Sequence, residues 1–159
     1  MRKIFLVFIF LSILGGCAIR IAEAPPRIYS LESALRIVQG KYVLVHIDKV
    51  DVYEGIDAKG MVAIYRGGKG QMLLFYGFKM FESSPRNLWK SIVKKYGIWN
   101  FGIHLDFPSF GYYSASRKGK FITTWWKDVW LFVIESSDNH RDFVKDVTNA
   151  FAEVGGMLK

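Results

Sequence analysis

The chain has 159 residues, a formal charge of +8 and 51% hydrophobic residues, which suits one domain with an ordinary apolar core. Its single cysteine excludes an intrachain disulfide, so stability must come from packing. The positive balance fits contact with anionic lipid head groups or anionic wall polymers, and equally plain solubility.

The first sixteen residues form a leader. Arg2 and Lys3 give a positive start, Ile4 to Leu14 is an almost unbroken apolar run, and Leu14-Gly15-Gly16-Cys17 closes it. A membrane-spanning helix needs about 20 apolar residues, and this run is too short; a charged start, a short apolar stretch and small closing residues mark a cleaved secretory segment. The motif resembles the lipobox of bacterial lipoproteins. That resemblance implies cleavage after residue 16, lipidation (palmitate included) of Cys17, and an extracytoplasmic protein anchored to a membrane through that lipid. Nucleic acid is then no partner. The expected organisation is a signal peptide over 1–16, a lipidated tether over 17–29 and one globular domain over 30–159. Pro25-Pro26 favours extended chain in the tether.

From Ser30 the pattern turns helical, with Leu31, Ala34, Leu35 and Val38 on one face and Gly40 as a stop. Tyr42 to Ile47 reads as a strand, which Val50 to Tyr53 resumes after a bulge or as a new strand. Met61 to Arg66 and Gln71 to Met80 read as a hairpin across four residues rich in glycine. Ser83-Ser84-Pro85 opens a helix with Leu88, Trp89, Ile92, Val93 and Tyr96 inward and Gly97 at its end. Lys120 to Trp126 and Val129 to Ile134 form another hairpin. A helix follows, capped by Glu135-Ser136-Ser137-Asp138 and ended by Gly155-Gly156.

These elements predict an α+β fold, an antiparallel sheet with amphipathic helices on one face, which also reads as two strand-strand-helix units. Leu73 to Phe78 and Val129 to Ile134 are apolar on both sides and should be central strands. Something must therefore cover the second face: the first helix, the aromatic segment or a second subunit.

Tyr96 to Tyr113 reads as a long aromatic loop jointed by glycines, either a ligand pocket or core filling. Its candidate contact residues are Tyr96, Trp99, Phe101, Phe110, Tyr112 and Tyr113, with Trp125 and Trp126 on the adjoining hairpin. Neighbours on a strand point to opposite faces, so at least one of those two tryptophans should be partly exposed. Lys90, Lys94 and Lys95 on the middle helix and Arg117, Lys118 and Lys120 at a turn form a basic patch if they converge.

Catalytic signals are thin. No Gly-x-Ser-x-Gly elbow is present, and Gly67-Gly68-Lys69-Gly70 lacks the spacing of a phosphate loop. His104 and Asp106 could share a face, but two ligands fall short of a zinc site. His46 and His140 stand apart in sequence. Asp138 and Asp142 suit a helix start. The expectation is a non-enzyme with no cofactor or metal. It would act by association with an envelope protein or with itself (a homo-oligomer); the alternative is a small ligand or glycan bound by segment 96–113.

Overall fold

The computed structural model describes residues 21–97, 102–117 and 119–157, the Lys69 side chain excepted. The leader, Cys17, Trp99, Phe101 and Lys118 lie outside the described residues. Seven antiparallel strands form one sheet in the order β1-β2-β3-β7-β6-β5-β4. They are β1 (Val43–Tyr53), β2 (Ile56–Arg66), β3 (Met72–Lys79), β4 (Gly102–Asp106), β5 (Phe110–Arg117), β6 (Lys120–Lys127) and β7 (Trp130–Ser136). Among the described residues three α-helices complete the α+β fold: α1 (Leu31–Leu35), α2 (Pro85–Tyr96) and α3 (Arg141–Met157).

The two strands that read as central are adjacent at the middle of the sheet, with Leu73 opposite Ser136 and Lys79 opposite Trp130. Their apolar character follows, because both faces are covered. Face A carries α1 and α3, with Leu35, Phe143, Val147 and Phe151 against Tyr65, Phe75, Trp125 and Phe132. Face B carries α2, with Leu88, Trp89, Ile92 and Val93 against Tyr113, Trp126, Leu131 and Val133.

The helices therefore divide between two faces, where the sequence pointed to one. Trp125 and Trp126 do face opposite ways, yet both are buried, at 0% and 6% exposure, because α2 supplies the missing cover. The division also tells against a repeated unit. A twofold axis relating the β2–β3 and β6–β7 hairpins across the β3–β7 pair would leave both following helices on one face. Here α2 and α3 lie on opposite faces.

The remaining differences are local. Residues 102–117 are not a loop: β4 and β5 pair from Gly102–Ala115 to Asp106–Gly111. Strand β1 is continuous, with irregularities between Leu44 and His46 and between Val50 and Val52. Helix α3 runs through Gly155 and Gly156 to Met157. Segment 21–29 is laid on the domain rather than standing free as a tether. Ala22 is 2% exposed, the Trp125 indole donates to the Glu23 carbonyl at 2.8 Å, and Lys79 Nζ donates to the carbonyls of Arg27 and Tyr29, each at 2.6 Å. Buried or half-buried donors need acceptors, and this segment provides them.

The β1–β2 hairpin bends over face B. A Cβ on Gly60 would lie 2.4 Å from the Gly77 carbonyl and 2.5 Å from the Phe78 ring, so only glycine allows the approach. Beyond it, Tyr53 packs edge-on against Tyr76, ring centres 4.9 Å apart, and the turn passes through Glu54 (φ 50°) and Gly55 (φ 75°). This bend brings the hairpin tip beside the C-terminal end of α2 and the β5–β6 turn.

Candidate functional site: a basic, tyrosine-walled cleft

Those three elements enclose a cavity of about 550 Å³ lined by Glu54, Lys95, Tyr96, Tyr113, Ala115, Arg117, Lys120 and Ile122. Helix α2 ends at Gly97, which takes φ 88° and donates its N–H to the Val93 carbonyl. The Gly97 carbonyl accepts from Tyr113 OH at 2.9 Å, which locks that ring against the end of the helix.

Glu135 is the polar centre beneath the cleft. Strand alternation puts it on face B beside Val133, and it is 5% exposed. Its Oε1 accepts from Tyr53 OH at 2.5 Å and from Tyr96 OH at 2.7 Å, and Lys120 Nζ stands 3.1 Å from Oε2. Lys120 also reaches Glu54 at 3.3 Å and lies over the Tyr96 ring, 5.6 Å from its centre. Burial and the adjacent carboxylate hold the Tyr53 hydroxyl far above its ordinary range; burial does most of the same to Tyr96. For Lys120, burial opposes the charge, but the hydrogen bond and charge of Glu135 outweigh it and raise the pKa. The tyrosines are therefore neutral donors and the lysine a fixed cation across the physiological range.

Lys95 and Arg117 are exposed and make no ion pair with a carboxylate among the described residues. The cleft thus offers two uncompensated cations, a third balanced by Glu135 and Glu54, and two tyrosine walls. The arrangement is electropositive on balance, which suits a negatively charged ligand. Among the described residues it sets no nucleophile beside a base.

Sequence reasoning placed Tyr96, Tyr113, Lys95, Arg117 and Lys120 among the candidates, and the fold brings these five together. It scatters the others. Tyr112 and Trp125 belong to the face A core, and Trp126 to face B, where Arg86 stacks on it at 5.9 Å. Phe110 packs on Phe107 at the other end of β5, ring centres 4.9 Å apart. Lys90 pairs with Asp106 at 3.5 Å, and Lys94 is exposed outside the cleft. Tyr53, Glu54 and Glu135 were missed. Glu135 looked like part of a helix cap, but an acid two residues beyond Val133 on a buried strand is itself a signal.

A smaller cavity of about 240 Å³ sits on face A, lined in part by Ser114, Thr123, His140 and Arg141. His140 is 5% exposed; Thr123 Oγ1 is 2.9 Å from Nε2 and Ser136 Oγ 2.7 Å from Nδ1. Ser136 donates its proton to the Asp138 carbonyl, so it accepts from Nδ1–H, which leaves Nε2 to accept from Thr123. Ser136 is therefore not poised to lose its proton to His140. His104 packs against Trp89 and Tyr113 while Asp106 is held by Arg86 at 2.9 Å, and His46 meets Asp48 at 2.9 Å on β1. Among the described residues, no group of three or more His, Cys, Asp or Glu side chains could hold a metal ion.

Fold and cleft together define a class: an α+β domain whose antiparallel sheet is sandwiched between helices and ends in a basic, tyrosine-lined pocket. The chain belongs to the family described as "Protein of unknown function (DUF3242)", whose model matches residues 26–154. It is similar to a crystallised protein of Thermotoga maritima described as a GTP binding regulator. The two are 32% identical with a TM-score of 0.71, over 81% of this chain and 92% of that one. No protein with a curated description matches the sequence.

Proposed function

We propose that the chain is a lipid-anchored, extracytoplasmic protein of the cell envelope that works by binding rather than catalysis, and that its cleft takes a small anionic ligand. The lipobox motif ending at Cys17 supports the anchor. The convergence of Lys95, Arg117 and Lys120, from separate elements, on a tyrosine-walled cavity of about 550 Å³ carries the binding role. That volume is in the range of small-molecule sites, roughly 300–1,000 Å³.

The Thermotoga relative directs the choice of probe. A guanine nucleotide combines a flat base with a polyphosphate, which complements tyrosine rings beside cations. Calorimetric titration of the mature protein with GTP, GDP and inorganic phosphate should show binding that weakens at least tenfold in the Lys95→Ser/Arg117→Ser double variant. Equal affinity in both proteins, or no heat from any of the three anions, would remove this reading.

Self-association through β1 is the second reading. The strand is a sheet edge eleven residues long, and Val43, Val45 and Val52 are 62%, 46% and 54% exposed. Its bulges and its run of Asp48, Lys49 and Asp51 work against pairing with another edge. Light scattering of the titrated samples distinguishes the two readings: a dimer untouched by anions would favour association.

A further inference from the structure

We propose that the end of the sheet carrying the β6–β7 turn rests on a lipid bilayer, seated through Ile28, Phe81 and Phe107. The proposal depends on Cys17 being the anchor, and it adds an orientation to that reading. Three large apolar side chains are stranded in solvent at this end: Ile28 is 79% exposed, Phe81 67% and Phe107 44%.

Pairing places them together. Lys79 is opposite Trp130 and Phe110 opposite Lys127, so Phe81, just beyond β3, and Phe107, in the β4–β5 turn, flank the β6–β7 turn. Met80 N–H donates to the Val129 carbonyl at 2.8 Å, which ties the start of that segment to the turn. Ile28 sits between Arg27, which is paired with Asp128 of the same turn, and Tyr29, whose carbonyl holds Lys79. Strands lie about 4.8 Å apart, so the row from Phe81 to Phe107 extends roughly 14–19 Å.

The occupant follows from where the chain enters. Ala22 is buried and Glu23 is fixed to Trp125 and Lys127 at this same end. Five residues from Cys17 to Ala22 span at most about 18 Å when fully extended. A lipidated Cys17 therefore holds this end at the membrane surface and leaves little room for another protein beneath it. Cationic side chains border the apolar row: Lys79 Nζ lies 5.1 Å from the Phe81 ring centre, and Arg27 is largely exposed. Aromatic rings in the interface with basic heads beside the phosphates are the chemistry of a peripheral membrane contact.

Acylation of Cys17 leaves no thiol in the chain, so a cysteine introduced by substitution is a unique labelling site. The lipidated protein is reconstituted in vesicles of phosphatidylethanolamine and phosphatidylglycerol, with an environment-sensitive fluorophore on Ile28→Cys, Phe81→Cys or Phe107→Cys. Ser116→Cys, at the far end of β5, is the control. The first three labels should shift to the blue and be quenched at least threefold more strongly than the control by nitroxide-bearing lipids. Equal quenching at all four positions would overturn the proposal. Labels shielded from water but untouched by the lipid quencher would also overturn it and assign the surface to a protein partner. A titratable thiol on the unsubstituted protein would show instead that the anchor is missing, and the proposal would fall with it.

Discussion

His140 is 5% exposed, and both of its ring nitrogens are engaged by hydroxyls. Burial lowers its pKa from 6.5 to about 4. The unfolded chain takes up a proton below about pH 6.5 while the folded chain resists until about pH 4. Stability contributed by this ring is therefore complete above pH 6.5, falls as the pH drops through that window, and changes no further below it. The full difference is worth roughly 3 kcal/mol, of which about 2.5 kcal/mol is lost by pH 4.5. Phe121, 6.4 Å away, Thr123 and Ser136 face the ring, and none ionises in this window. Asp106 and Asp128 are held low mainly by hydrogen bonds from Arg86 and Arg27. Asp146 is held low despite burial, by Lys41 and Tyr42. These acids titrate lower and are common to any His140 variant. Urea unfolding of the wild type and of His140→Gln at several pH values from 7.5 to 4.5 isolates the effect, since glutamine can keep hydrogen bonds but cannot titrate. The wild type should lose about 2.5 kcal/mol more than the variant over that range. Parallel curves would refute the argument.

Glu135→Gln should separate stability from binding. Loss of the charged partner of Lys120 costs about 1–3 kcal/mol in urea unfolding. If the cleft takes a guanine nucleotide as proposed, removing the negative charge beneath it should at the same time tighten that binding roughly fivefold, about 1 kcal/mol at water-like screening. Gly60→Ala should destabilise the domain by about 1–3 kcal/mol, because its Cβ would meet the fixed Gly77 carbonyl at 2.4 Å. Thermal unfolding checks this, and an unchanged midpoint would mean that the hairpin does not bend over face B in solution.

Much of the fold was legible because local signals and tertiary packing agree. Pro85 in the first turn and Gly97, at φ 88°, bound α2 as its start and stop, although the Ser84 side chain makes no capping hydrogen bond. The doubly apolar β3 and β7 could only be central. What failed was face assignment. Alternation says that Trp125 and Trp126 diverge but not which helix lies on either side, and that choice depends on crossings no single segment encodes. The β4–β5 hairpin was missed because β4 has only five residues, and Gly102 at its start, Pro108 in the turn and Gly111 in β5 read locally as loop. Half of the cleft was legible as a cluster of cations and tyrosines. Tyr53 and Glu54 were not, because they depend on a bend at Gly60 that carries one hairpin tip across the sheet, and Glu135 was hidden because it sits at the end of β7, where it looked like part of a helix cap.

The basic cluster and the end proposed to meet the membrane could have been one feature, since lysines and arginines near a lipid anchor suit acidic head groups. Strand β6 separates them. It enters at Lys120, in the cleft, and leaves at Lys127, which is paired with Glu23 of the entering chain. Seven residue steps along a strand span roughly 23 Å, more than two Debye lengths at physiological ionic strength. Phosphates beneath Phe81 and Phe107 would be screened from Lys95 and Arg117 over that distance. An anchor at one end, as proposed, would leave the cleft opening away from the bilayer, and an anion for it would then have to arrive from the aqueous side.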